Sequence, residues 1–192
     1  MRKLLDAGVD VFSRHGYHSA RVDDIVKAAK TSHGTFYLYF SNKEDLFGRL
    51  ALDISDELTA LVDELGEFDP TPAGREHLRA WLGRFLEVYR HYGPLLRAWT
   101  AAETETSEAG RMGTAMLARF SGAIAERVAR VPDLPTDPQI TALALVAMIE
   151  RFSFLVLARQ VLATTEELVE ALTEAIWRTL FGQPDARRRG AA

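Results

Sequence analysis

The residues with the most chemistry to offer lie in one short stretch, "TSHGTFYLYFSNKEDLF", Thr31 to Phe47. Thr31, Ser32 and Thr35 bring hydroxyls, His33 brings a ring nitrogen, and Gly34 takes up no room beyond its backbone. Phe36, Tyr37, Tyr39 and Phe40 follow at once, with Lys43 just beyond. A core helix would not open on Ser-His-Gly-Thr, and an ordinary surface helix would not carry four aromatic rings. The mixture suits hydrogen bonding to a polar surface at close range. Bond-breaking chemistry has no comparable set. The chain has no Cys, no Gly-x-Ser-x-Gly, no His-Glu-x-x-His and no glycine-rich phosphate loop. Its five His, at 15, 18, 33, 77 and 91, lack paired metal spacing. No enzyme, cofactor or metal is expected.

The elements that must position this stretch read as helices. Leu5, Val9 and Phe12 fall at i, i+4 and i+7, which predicts a helix over 2–14 that Gly16 stops. Val22, Ile25, Val26 and Ala29 define a second, short helix, capped by Ser19. Ser32 reads as the N-cap of a third, about 33–39, with Phe36 and Phe40 turned inward. The three-residue connection 30–32 suits a helix-turn-helix. Ser41 to Glu44 is a capping box opening a long helix through Leu46, Leu50, Leu58, Leu61 and Leu65, ended by Gly66.

Beyond it, Thr71-Pro72 starts a helix to about Tyr92 that Gly93-Pro94 breaks, and a short helix follows through Leu95, Leu96 and Trp99. Further helices are expected over 107–130, over 138–162 and, behind a second capping box at Thr164 to Glu167, over 165–181. The fold class is all-α, about nine helices: a three-helix helix-turn-helix domain over 1–48 and a larger helical domain over 49–182. The tail 183–192 is expected to be disordered.

Of 192 residues 47% are hydrophobic, enough for a packed core, and the net charge is −4. Residues 1–50 hold eight Lys/Arg against six Asp/Glu, and the remainder fifteen against twenty-one. Only the first quarter is net basic, and modestly so. Charged residues from Arg2 onward leave no signal peptide to be seen. The apolar stretch from Ile140 to Leu162 carries Glu150, Arg151 and Arg159, costly in a bilayer, so a buried helix, no membrane and a cytoplasmic setting are expected.

From Phe12 to Leu46 the chain resembles the DNA-binding signature of TetR-type transcriptional regulators. The matching pieces are Phe12, Gly16 and Tyr17; Val22, Asp24, Ile25 and Val26; Ala28 to Phe40; and Lys43 to Leu46. The resemblance implies a homodimer with a C-terminal ligand-binding domain. Its usual function is repression relieved by a small molecule. The two-fold symmetry of such a dimer would make the operator a palindrome, and the aromatic and Met residues of the larger domain suit a largely apolar effector. Lys30 departs from it, standing where the family has Gly. A Lys held at positive φ there would be strained by about 1 kcal/mol unless the turn differs. Ala20 and Arg21 replace the family's threonines. The other reading is a ligand-sequestering or protein-binding helical module with a vestigial DNA-binding head.

On the regulator reading, a double-stranded DNA operator meets Arg21, Thr31, Ser32, His33, Gly34, Thr35, Tyr37, Tyr39 and Lys43. The hydroxyls, His33 and the thin Gly34 suit a major groove, the tyrosines a phosphate or thymine methyl, and Lys43 and Arg21 the phosphates. A hydrophobic effector would be lined by Trp81, Phe85, Tyr89, Trp99, Met112, Met116, Phe120, Met148 and Phe152. The resemblance places the dimer at helices 138–162 and 165–181.

Overall fold

A computed structural model describes residues 1–101 and 108–182, with the side chains at 94, 97–101, 108–110, 112–114, 116 and 117 left out of the description. The expectations placed on Trp99, Met112, Met116 and the tail 183–192 lie outside the described residues. Eight helices and no strand occur among the described residues: α1 (Arg2–Ser19), α2 (Val22–Ala28), α3 (His33–Tyr37), α4 (Lys43–Leu65), α5 (Pro72–Ala101), α6 (Glu108–Val128), α7 (Pro138–Leu157) and α8 (Thr165–Phe181). They form two compact units, one of Met1–Ala60 with Val88–Ala118, the other of Leu61–Glu87 with Arg119–Ala192. The expected domain boundary after residue 48 falls within α4.

The first unit is built on α1, α2, α3, most of α4 and the second half of α5. Leu4, Val11, Phe12, Ile25, Phe36, Phe40, Leu46, Leu50, Ile54 and Leu95 are its buried core. Each of the larger side chains contributes about 1.5–3 kcal/mol by leaving water. Close approach of α1 to α4 depends on Gly8. A Cβ there would meet Leu46 Cδ2 at 2.5 Å and Leu50 Cδ1 at 3.2 Å. Gly16, at φ 72, interrupts the helical backbone of α1 before the chain turns toward α2.

Several helix boundaries differ from expectation, each for a local reason. The chain does not break at Gly93-Pro94; α5 runs on to Ala101. A proline removes one backbone donor and strains one turn, and burial of the following Leu95 offsets that. Among the described residues eight helices therefore stand where about nine were expected. The cap of α4 is Asn42, not Ser41: Asn42 O accepts from Leu46 N at 3.4 Å, and its Oδ1 accepts from Asp45 N at 2.8 Å. Asp45 in turn accepts from Ser41 N at 2.9 Å, so Asp45 takes the role expected of Glu44. Arg21 is the N-cap of α2, with no side-chain cap bond, so Ser19 does not cap it. α7 stops at Leu157 instead of Leu162, because Arg159 adopts φ 54 while Gln160 N bonds Leu155 O at 2.8 Å. That is the closing pattern of a Schellman motif.

The caps of the second unit otherwise follow the sequence. Thr71 Oγ1 accepts from Gly74 N at 3.2 Å at the start of α5. Asp137 Oδ1 accepts from the Gln139 and Ile140 amides at the start of α7. The box at Thr164 and Glu167 opens α8. α7 packs on α8. Among the described residues α7 is the one helix long and apolar enough to cross a membrane, and 33% of that stretch is buried inside the chain.

Candidate nucleic-acid interface

α3 is short, and its two sides are unlike. Phe36 and Phe40 are 0% and 4% exposed in the core, while Tyr37 and Tyr39 are 58% and 50% exposed on the other side. Ser32 Oγ accepts from Thr35 N at 3.1 Å and lies 3.0 Å from Thr35 Oγ1, so it is a cap whose hydroxyl stays at the surface. Gly34 is exposed too, and a Cβ added there would meet only Ser32 Oγ at 3.7 Å, an ordinary contact. Nothing inside the protein therefore demands glycine at 34. The thin leading edge is free for something outside.

The turn before α3 keeps the left-handed backbone despite its side chain. Lys30 has φ 52, Lys30 N bonds Lys27 O at 3.2 Å, and Thr31 N bonds Val26 O at 2.9 Å. This is a complete Schellman closure of α2 with lysine at the position that favours glycine. Thr31 is half-buried behind it, and Arg21 is exposed with no side-chain partner among the described residues. His33 is not free: its Nε2 lies 2.6 Å from Asp23 Oδ1 on α2.

Lys43 has partners of its own inside the chain. Its ammonium donates to Tyr17 O at 3.0 Å, His18 O at 3.0 Å and Ala20 O at 3.1 Å, and it lies 5.0 Å from the centre of the Tyr17 ring. An ammonium has three donors, and all three are used. Within the chain Lys43 thus staples the end of α1 to the start of α4.

The second unit gathers part of the expected effector lining. Trp81, Phe85 and Phe120 are buried together, with ring centres 5.9 Å apart for Trp81–Phe85, 6.1 Å for Phe85–Phe120 and 6.3 Å for the stacked Trp81–Phe120 pair. Tyr89 is buried in the first unit, against Gly93, where a Cβ would fall 2.8 Å from the ring. Met148 is half-buried. Phe152 is 48% exposed on α7 with Ile140 and Leu143, so it is not a pocket residue within one chain. A groove of about 630 Å³ does exist between α6 and the start of α7, but Ser121, Gly122, Ala125, Asp137, Gln139 and Leu143 line it, none of them an expected effector residue.

Sequence reasoning missed the residues that hold the end of α4. Its last carbonyls have no helical donors of their own. Trp81 Nε1 donates to Leu61 O at 2.7 Å, and His77 Nε2 bridges Glu64 O at 2.9 Å and Leu65 O at 3.0 Å. Arg127 donates from Nη2 to Val62 O at 2.9 Å and from Nε to Gly66 O at 2.7 Å. The only signal in the sequence was the need itself, which does not say which side chain meets it.

Three helices on one small core, the third short, polar at its leading end and bearing outward tyrosines, define a helix-turn-helix DNA-binding protein. The profile of the bacterial regulatory proteins of the tetR family matches residues 4–50. Residues 4–50 thus form a DNA-binding head of the tetR type. It is 39% identical over 64 residues to YdgC, an HTH-type transcriptional regulator of Bacillus subtilis, a match that covers 33% of each chain. The aligned part thus spans about a third of that relative's length. Among solved structures, a TetR-like transcriptional regulator from Rhodococcus sp. RHA1 is 25% identical with TM-score 0.67, covering 95% of this chain and 96% of that one. The regulator FadR from Bacillus subtilis, solved in complex with stearoyl-CoA, is 19% identical with TM-score 0.64, covering 95% and 99%. At that identity the second likeness concerns the fold.

Proposed function

We propose that the chain is a homodimeric, ligand-responsive repressor, cytoplasmic like the chromosome it acts on, which binds a palindromic operator and leaves it when a small, largely apolar effector binds. The observation that carries the DNA reading is Gly34: it is exposed, it sits at the leading end of α3, and packing does not require it. Arg21, Thr31, Ser32, His33, Thr35, Tyr37 and Tyr39 surround it as the contacting set, with hydroxyls and ring nitrogen toward base edges and phosphates. The apolar face of α7, with Ile140, Leu143 and Phe152 exposed, supports a second copy packing on the α7–α8 pair.

The buried ring cluster of Trp81, Phe85 and Phe120 supports an apolar effector, and the likeness to a regulator bound to stearoyl-CoA makes a long acyl chain the first class to try. Trp81 belongs both to that cluster and to the clamp on α4, which is one helix from Lys43 to Leu65. A ligand that shifts the indole would change the restraint on α4, as far as its affinities for the two states differ.

Gel shifts with the region upstream of the chain's own gene test this reading. We expect salt-sensitive binding to a palindrome, a complex holding two chains by native mass spectrometry, and release by an acyl-CoA. Absence of any salt-sensitive, sequence-selective binding would favour the ligand-sequestering alternative.

A further inference from the structure

His33 opens α3, and Asp23 lies in the first turn of α2, ten residues earlier. Their contact, 2.6 Å between Nε2 and Oδ1, lies at the surface of the head: the two side chains are 55% and 74% exposed. Burial therefore does not explain it. Nor does the dipole of α2 call for Asp23 in particular, since Asp24 supplies an acid in the same turn.

The pair has a chemical consequence at the ring. A carboxylate only accepts hydrogen bonds, so the proton in this contact belongs to His33 Nε2. Neutral imidazole has a single N–H, so Nδ1 is left as an acceptor. A histidine without such a partner offers either nitrogen in either sense. In the major groove an acceptor matches the amino groups of adenine N6 and cytosine N4, whereas guanine N7 and O6 and thymine O4 are themselves acceptors. We propose that Asp23 is a positioning residue: by holding the Nε2–H form of His33, it makes the base contact at this site select adenine or cytosine over guanine or thymine. The proposal rests on α3 being the groove-facing helix, and it assigns a role in specificity to an acid that touches no DNA itself.

The test uses the full chain. A duplex is selected by wild type from a randomised double-stranded library, and affinities for all its single-base-pair variants are measured for wild type, Asp23→Asn, His33→Ala and the double variant. We expect Asp23→Asn to lower discrimination at one base pair in each half-site by about fivefold or more, leaving other positions alone. The double variant should match His33→Ala. A uniform gain in affinity with preferences intact would mean that Asp23 only repels phosphate, and would overturn the proposal. So would a preference shift by Asp23→Asn that persists without His33, since Asp23 would then read the base itself. Wild type that selects no sequence would remove the groove-facing reading and the proposal together. A second readout needs no DNA: nitrogen NMR of the free protein should show His33 protonated at Nε2, with both forms appearing in Asp23→Asn. Protonation at Nδ1 in wild type would overturn the assignment.

Discussion

In the head, the tyrosines expected to meet a ligand are those the core leaves outside, whereas in the second unit Trp81, Phe85 and Phe120, expected to meet an effector, are the core. Tyr37 and Tyr39 stand exposed beside the buried Phe36 and Phe40, with the Tyr37 ring edge-on to Phe36 at 5.4 Å, so removing either takes little from that core. Trp81, Phe85 and Phe120 are buried against one another, and Trp81 also holds a carbonyl of α4. A groove reader keeps recognition and stability on opposite sides of one short helix. A lipophilic site cannot, because the groups that would greet an apolar ligand also attract each other.

The comparison breaks or holds on which observable each substitution moves. Trp81→Ala should have the largest effect, about 3–5 kcal/mol of stability from lost ring packing, with DNA affinity falling only as the folded fraction falls. A thermal melt measures the first and gel shifts below the transition the second. A stable Trp81→Ala protein would show that the cluster is not structural. Next comes Lys43→Met. Hydrogen bonds from a charged donor are worth about 1.5–3 kcal/mol, so the melt should drop while the salt dependence of DNA binding keeps its slope. If the slope falls by about one counterion, Lys43 leaves its three carbonyls for a phosphate after all.

Gly34→Ala should move the head the other way. Alanine in a helix is favoured over glycine by about 0.5–1 kcal/mol, and a Cβ at 34 would meet no tight contact. The protein should melt no lower than wild type and yet bind its operator about tenfold more weakly, of the order of one lost base-pair match. Unchanged affinity would take Gly34 out of the interface. Lys30→Gly is the complementary change: it relieves a left-handed lysine and should stabilise by about 1 kcal/mol, with little change in DNA binding.

These cases also show where sequence was readable. α3 was readable because its two demands use different residue types in a five-residue helix. The box opening α8 and the glycine ending α4 are local chemistry, and they stand where the pattern placed them. The ends of α2 and α7 were harder, since Lys30 and Arg159 occupy left-handed positions that glycine usually marks. Lys30 was flagged only through the family resemblance, and nothing flagged Arg159. Gly93-Pro94 misled in the opposite sense, carrying a break signal that the burial of Leu95 overrides. The clamp on α4 was not legible at all. His77 and Arg127 lie 12 and 61 residues from carbonyls they hold, Leu65 O and Gly66 O, and no periodicity encodes that. Phe152 was grouped with the pocket by residue type alone, yet its place on α7 turns it outward.

The smallest expected effect sits on the surface of the second unit, where its sign can be worked out. Arg75 reaches from α5 to Glu170 at 2.5 Å and Glu174 at 3.3 Å on α8. The hydrogen bond from Arg75 holds the Glu170 carboxyl below the usual carboxylate range, and Arg178, then Arg75, do the same for Glu174. A carboxylate with a lowered folded value adds stability above its unfolded value, and that stability is lost as pH falls through the folded one. Arg75→Met should therefore melt slightly below wild type at neutral pH, with the gap closing on acidification below about pH 4. These groups are exposed, so screening by salt should shrink the gap as well. A gap that persists in acid and in high salt would mean that Arg75 acts through the packing of its stem, not its charge. The second unit would then be apolar in its stability even at its most charged surface, which would widen the contrast with the head.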